Sequence, residues 1–144
     1  MATVRAPALY SPELLGLAVE LADHPFEPNA SATGEARSRS CGSTIEISSS
    51  DGMRLHSIGL RVTACAVGQA SAAIFASEAE GMDSALLGET LSLIARWLEG
   101  EAPSTILPRL ELLEPARPHR GRHEAILLPW RAALDALSKT PDPR

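Results

Sequence analysis

Two cysteines are the residues of this chain whose type and placement could do chemistry. Cys65 stands in RVTACAVGQASAAI, where strand-like residues give way to very small side chains. Cys41 stands in RSRSCGSTI, just before a second strand-like run, and Gly42 would let the backbone bend around whatever its sulfur holds. Cys65 is expected at the N-terminus of a helix, where the helix dipole and free N–H groups favour a thiolate. A thiolate is the form that binds metal or accepts sulfur.

The two cysteines are predicted to meet at one end of a sheet. Cys41 precedes the first strand of a predicted hairpin and Cys65 follows the second strand, so both sulfurs can reach the same end of the sheet. Their separation of 24 positions, from 41 to 65, is not a zinc-finger spacing. The alternative is structural, because a free cysteine is often buried as a small hydrophobe.

Residue patterns in the first half of the chain predict one helix and a small antiparallel sheet. Ser11 is placed to cap the helix, Pro12 opens it, and the pair at 24–25, His-Pro, ends it. An edge strand is expected around 34–38. Alternating residues over 43–50 and 54–62 predict an antiparallel hairpin with one buried face.

The second half reads as helical. The small-residue segment after Cys65 favours a helix that lies flat against the sheet and stops at Gly81. Asp83 is placed to cap an amphipathic helix that ends near residue 100, and one helical turn is expected at 110–113. The last helix is expected over 126–138, because Pro129 is tolerated only in a first turn. Helix, sheet and further helices in this order predict an α+β domain.

Composition sets the broad class of protein. A chain of 144 residues, 44% hydrophobic and with a formal net charge of −5, fits one domain and argues against nonspecific nucleic-acid binding. The domain is expected over 9–138, with tails at 1–8 and 139–144. No apolar stretch is long enough for a membrane span or a secretory signal, so a cytoplasmic location is expected.

The basic segment 116–123 either meets an acidic partner or is a solvated loop.

Four segments together resemble the NifU-like family of iron–sulfur cluster assembly scaffolds, also called the IscU or SufU type. They are LYSPELLGLAVELADHP, SCGS, VTACAVGQASAAI and GRHEAILLPWRAALDAL, and they span nearly the whole chain. The resemblance implies a small three-stranded antiparallel sheet with helices packed on it, the IscU/SufU-like fold.

The resemblance also implies a metal-binding site. Cys41 and Cys65 match the first two family cysteines, whereas Ser43 stands where the family has an aspartate and Ala125 where the third cysteine is expected. An iron–sulfur cluster or a closed zinc site normally takes four protein ligands.

Two residues next to Ala125 are candidates for the missing ligand. His123 is the stronger, because imidazole suits zinc or a cluster iron, and the alternative is a solvated loop histidine. Glu124 and Ser43 are the less certain ligands.

The resulting hypothesis is a scaffold-like protein, not an enzyme. It would bind iron, zinc or a transient cluster, accept sulfur from a cysteine desulfurase, and act as a monomer or as a homodimer in which each subunit offers two thiolates. The alternative is a degenerate scaffold that serves as a non-catalytic interaction or zinc-binding protein of the same assembly system. No phosphate-cradling loop or metalloprotease motif is present, and a nucleophilic Cys65 with His123 as its base is the weaker alternative.

Overall fold

The computed structural model describes residues 11–139. The predicted tail at 1–8 and all but Lys139 of the predicted tail at 139–144 lie outside this range. The helices are α1 (Pro12–Glu20), α2 (Ala66–Glu78), α3 (Ser84–Leu98) and α4 (Arg120–Ser138), and the strands are β1 (Ala32–Arg37), β2 (Thr44–Ser49) and β3 (Gly59–Thr63). Short 3-10 turns occupy Leu21–Asp23, Ser104–Ile106 and Leu110–Ala116. The α+β class with a three-stranded antiparallel sheet is confirmed.

The starts of α1 and α3 follow the predicted caps. Ser11 Oγ accepts a hydrogen bond from the backbone N–H of Leu14 at 3.1 Å. Asp83 Oδ1 accepts one from the N–H of Leu86 at 2.9 Å. In each case a side-chain oxygen satisfies a backbone donor that the first turn of a helix leaves without a partner.

The sheet has the order β1-β2-β3, and both pairs are antiparallel. In the β2–β3 pair Ile47 lies opposite Leu60, and both side chains are buried. The predicted second strand at 54–62 begins too early. Leu55 exchanges backbone hydrogen bonds with Gly81 and Met82 in the α2–α3 connection instead of with β2, and β3 begins only at Gly59.

Helix α4 covers the sheet, whereas the sequence predicted this position for α2. At Gly34 of β1 a methyl group would collide with the carbonyl oxygen of Ala132 and the backbone of Ala136, so the helix crosses the strand at backbone contact. Helix α2 packs between α1 and α4 and contacts the sheet at β3. Its small residues therefore accommodate helices: a methyl group at Gly68 would stand 3.5 Å from Cβ of Ala125.

The start of α4 differs from the prediction by several residues. The helix begins at Arg120, and Pro129 lies in its interior. An interior proline costs a backbone hydrogen bond and about 3 kcal/mol. Tertiary packing outweighs that cost, because Pro129 and most of its neighbours are buried, and Ser71 donates a 2.6 Å hydrogen bond to the carbonyl of Ile126. The basic segment 116–123 is therefore not a solvated loop. Residues 116–119 lead into α4, and residues 120–123 form its first turn.

The outer edge of β1 also contacts α4. The backbone N–H of Glu35 donates to Asp135 Oδ2 at 2.9 Å. Lys139, the residue that follows α4, forms an ion pair with the same carboxylate at 3.1 Å. None of the helices within residues 11–139 is both long and apolar enough to cross a membrane.

Candidate functional site

Cys41 and Cys65 line the same open cavity at one end of the sheet. The cavity has a volume of about 260 Å³, and its walls come from the β1–β2 connection, the β3–α2 junction and the start of α4. Its lining residues are Cys41, Gly42, Ser43, Thr63, Ala64, Cys65 and Arg122. Cys41 is exposed and Cys65 half-buried, and neither forms a disulfide. The structure therefore brings the two distant thiols together in a place that solvent can reach.

Cys65 is held by the strand before it and the helix after it. It is the extended residue immediately before α2, and its carbonyl accepts the N–H of Gln69 at 2.9 Å. The Gln69 side chain donates a second bond, also of 2.9 Å, to the carbonyl of Ala64. The Cys65 side chain makes no capping hydrogen bond, and its sulfur lies at the N-terminus of α2, as predicted.

Cys41 lies in a tight loop of residues 38–43, here called the Cys41 loop. The N–H of Ser38 donates to the carbonyl of Ser43 at 2.8 Å and closes the loop. Gly42 has a φ of +73°, a left-handed conformation that glycine adopts without a steric penalty. The Cys41 sulfur lies 3.0 Å from Ser43 Oγ and 3.2 Å from Ser38 Oγ. Hydrogen bonding with Ser38 and Ser43 lowers the pKa of the Cys41 thiol, although the negative charge of Glu124 acts in the opposite direction.

Glu124 contacts the Cys41 loop and not the cavity. Its Oε1 accepts hydrogen bonds from the Ser38 hydroxyl at 2.7 Å, from the N–H of Arg39 at 3.0 Å, and from the hydroxyl and N–H of Ser40 at 3.1 and 3.2 Å. These bonds, led by that from Ser38, hold the pKa of Glu124 at about 2. The carboxylate is therefore ionised under all ordinary conditions.

The other predicted ligands lie in different surroundings. His123 Nε2 forms a 2.6 Å hydrogen bond with the carbonyl of Arg117, and the residue does not line the cavity. Ser43 lines the cavity and is buried. Ala125 is buried against Gly68, in the first turn of the helix that follows Cys65. Within residues 11–139 no three histidine, cysteine or acidic side chains are grouped closely enough to hold a metal ion.

Two residues of the site escaped prediction. Arg122 brings a cation to the cavity, and its only signal in the sequence was membership of the basic segment 116–123. Ser38 is buried and connects Glu124 to Cys41, and its signal was the density of serines in RSRSCGS. A hydroxyl-rich segment around a cysteine indicates a hydrogen-bonded sulfur, but it does not identify which serine provides the bond.

Solved structures with the same architecture include two that cover nine tenths of the chain. The crystal structure of the N-terminal part of a nitrogen-fixing NifU-like protein from Brucella abortus is 26% identical, with a TM-score of 0.74 over 90% of this chain and 92% of that one. A protein from Fervidobacterium islandicum AW-1, assigned as an iron–sulfur cluster assembly scaffold for the SUF system, is 21% identical, with a TM-score of 0.77 over 90% and 96%. No protein-family model and no curated protein matches the sequence.

The chain thus shares its fold with a NifU-like and a SufU-like protein. This likeness supports the resemblance to the IscU, SufU and NifU-like family that the sequence indicated.

Proposed function

We propose that this chain is a scaffold-like protein of iron–sulfur cluster assembly, in which Cys41 and Cys65 accept sulfur and hold iron, zinc or a labile cluster as cargo. The observation that carries the proposal is that both thiols line one open cavity. The similarity to a NifU-like protein and to a SUF-system scaffold supports the same role.

Sulfur acceptance fits the chemistry of Cys41 best. A cysteine desulfurase is the expected donor, carrying an enzyme-bound persulfide. The Cys41 thiolate attacks the outer sulfur of that persulfide, a new S–S bond forms on Cys41, and the donor cysteine leaves as a thiolate. Cys41 is suited to this step because it is exposed and because hydrogen bonding within the Cys41 loop lowers the pKa of its thiol.

Metal or cluster binding needs more ligands than the two thiols. An iron–sulfur cluster takes four ligands, mostly thiolates. His123 would have to give up its bond to the Arg117 carbonyl to bind through Nε2, and Glu124 would have to leave the Cys41 loop. Two chains that face each other across their cavities would supply four thiolates without either change.

Anaerobic reconstitution with a cysteine desulfurase, cysteine and ferrous iron tests the proposal. We expect a persulfide on Cys41 by mass spectrometry and visible cluster absorption that co-elutes with a dimer in size-exclusion chromatography. Cys41→Ser and Cys65→Ser should each abolish the absorption, whereas His123→Ala should leave it unchanged. Absence of both the persulfide and the absorption in the wild-type chain would rule the proposal out.

A second candidate is a scaffold relative that binds zinc or partner proteins without assembling clusters. The engagement of His123 and Glu124 in structural hydrogen bonds favours it, because these bonds leave one chain with two soft ligands. Stoichiometric zinc in the purified protein that is lost in Cys41→Ala, or desulfurase binding that persists in the double Cys→Ser variant without sulfur transfer, would support this candidate.

A further inference from the structure

We propose that Glu124 is the positioning residue of the cavity: its carboxylate ties the Cys41 loop to α4 and so holds the Cys41 thiol beside Cys65. The inference rests on the proposed function of the cavity. It gives Glu124 a role other than that of metal ligand.

The contact joins parts of the chain that are distant in sequence. Glu124 lies in the second turn of α4, and its Oε1 receives donors from three successive loop residues, Ser38, Arg39 and Ser40. Two of these donors are backbone N–H groups, which have no partner within a strand because the loop has left β1. The carboxylate therefore fixes the path of the backbone and does not merely hold one side chain.

Ser38 transmits this constraint to Cys41. A serine hydroxyl has a single proton, and the 2.7 Å bond to Glu124 uses it. The Ser38 oxygen is then oriented to accept, and it receives the N–H of Cys41 at 3.2 Å and that of Ser40 at 3.3 Å. The Cys41 sulfur lies 3.2 Å from the same oxygen. Because Ser38 is buried, water does not compete for these bonds.

The carboxylate itself is held from both sides. Its second oxygen, Oε2, lies 3.7 Å from a guanidinium nitrogen of Arg131, two turns further along α4. The Glu124 side chain is 28% exposed, and of its bonds to the loop the one from the Ser38 hydroxyl is partly buried. Hydrogen bonds to a charged acceptor are about twice as strong as neutral ones, which suits an anchor between a loop and a helix.

The two sides of the cavity are fixed independently. Cys65 is positioned by β3, α2 and the two bonds of Gln69, none of which involves Glu124. Removal of the carboxylate should therefore release Cys41 and leave Cys65 in place. This asymmetry separates a positioning role from a general contribution to stability.

Bridging of the two thiols by dibromobimane tests the inference on the full-length chain. The reagent fluoresces once both of its bromides have been displaced, each by a thiolate that forms a carbon–sulfur bond. Removing the anchor in Glu124→Ala should lower the ratio of bridged to singly labelled protein by roughly five- to tenfold, since close orientation dominates such second steps. Glu124→Gln keeps an acceptor oxygen and should recover part of the ratio. Asp135→Ala is the matched control, because Asp135 also accepts a backbone N–H from β1 but lies away from the cavity.

The outcomes separate this inference from the proposed function. Equal bridging in wild type and Glu124→Ala, an equal loss in Asp135→Ala, or no bridging in the wild-type chain would each overturn the positioning role. If Glu124→Ala does not fold, the same comparison between Glu124→Gln and Asp135→Asn decides it. A wild-type chain that bridges in a Glu124-dependent way but takes no persulfide would overturn the proposed function and leave the positioning role standing.

Discussion

Gly34 of β1 and Ala132 of α4 lie so close that no side chain fits between the strand and the helix. A Cβ atom at Gly34 would overlap the Ala132 carbonyl oxygen, which is backbone and cannot move aside alone. The approach fixes α4 on the sheet, and α4 in turn carries Arg122 and Glu124 to the cysteine cavity. Packing far from the site thus sets the position of residues within it.

The first prediction concerns this contact. Gly34→Ala should lower the free energy of unfolding by about 2–4 kcal/mol, because the helix must shift or the strand must bend. Gly88→Ala is the matched control: Gly88 lies within α3 with open space where its Cβ would be, so alanine should stabilise by about 0.5–1 kcal/mol. Urea denaturation measures both. An unchanged unfolding midpoint for Gly34→Ala would contradict the packing described here.

The second prediction concerns the interior proline of α4. Ser71→Ala should cost about 1–3 kcal/mol, since it leaves the buried carbonyl of Ile126 without its hydroxyl donor, close to the bond that Pro129 cannot make. Ser138→Ala removes a similar bond of 2.9 Å to Asp135, but on an exposed surface, and should change stability by less than about 0.5 kcal/mol. Thermal unfolding followed by circular dichroism compares the two, and equal effects would argue against support of α4 by α2.

The third prediction concerns acid stability. The pKa of Glu124 is about 2 in the folded chain against an ordinary 4.5, so folding favours the ionised form. Its contribution to stability is complete above about pH 5 and is lost as the pH falls from there towards 2. Glu124→Gln should therefore be less stable than wild type at pH 7, and the difference should shrink by pH 3. Urea titrations at both pH values measure it, and a difference that grows in acid would have the wrong sign.

The fourth prediction concerns the reactivity of Cys41. Its lowered pKa gives it a larger thiolate fraction near neutrality than an ordinary cysteine, and one source of the shift is Ser43. Ser43→Ala should move the midpoint of Cys41 alkylation by iodoacetamide to higher pH and slow the reaction at pH 7 by a few-fold. Peptide mass spectrometry follows both thiols, with Cys65 as the internal reference. An unchanged midpoint would remove Ser43 as a cause.

Local signals in the sequence predicted the parts of the fold that depend on local physics. Ser11 and Asp83 cap their helices as expected, because an N-cap needs only a short polar side chain and the next three residues. The antiparallel sheet followed from alternation, and the resemblance to scaffold proteins indicated its three strands. Cys41 and Cys65 line one cavity because the β1–β2 connection and the β3–α2 junction, in which they lie, are at the same end of the antiparallel sheet.

What the sequence did not reveal depends on contacts between distant segments. Pro129 lies inside α4 because burial and the Ser71 hydroxyl outweigh a local rule. Helix α2 packs mainly against α1 and α4 and meets the sheet at β3, because it is α4 that approaches the sheet closely at Gly34. A glycine in a strand does not indicate which helix approaches it. The contact of Glu124 with the Cys41 loop joins residues more than 80 positions apart, and no spacing rule anticipates it.

The bond between the Glu35 N–H and Asp135 also bears on how two copies of this chain can meet. It occupies a donor in the middle of the free edge of β1, the kind of group through which exposed strands recruit a further strand from another molecule. With that donor taken, growth of the sheet across a subunit boundary is disfavoured, and so is the aggregation that such edges invite. Two copies would then associate through other faces of the chain. Under the proposed function, the open cysteine cavity is the face through which two copies would bind one cargo together.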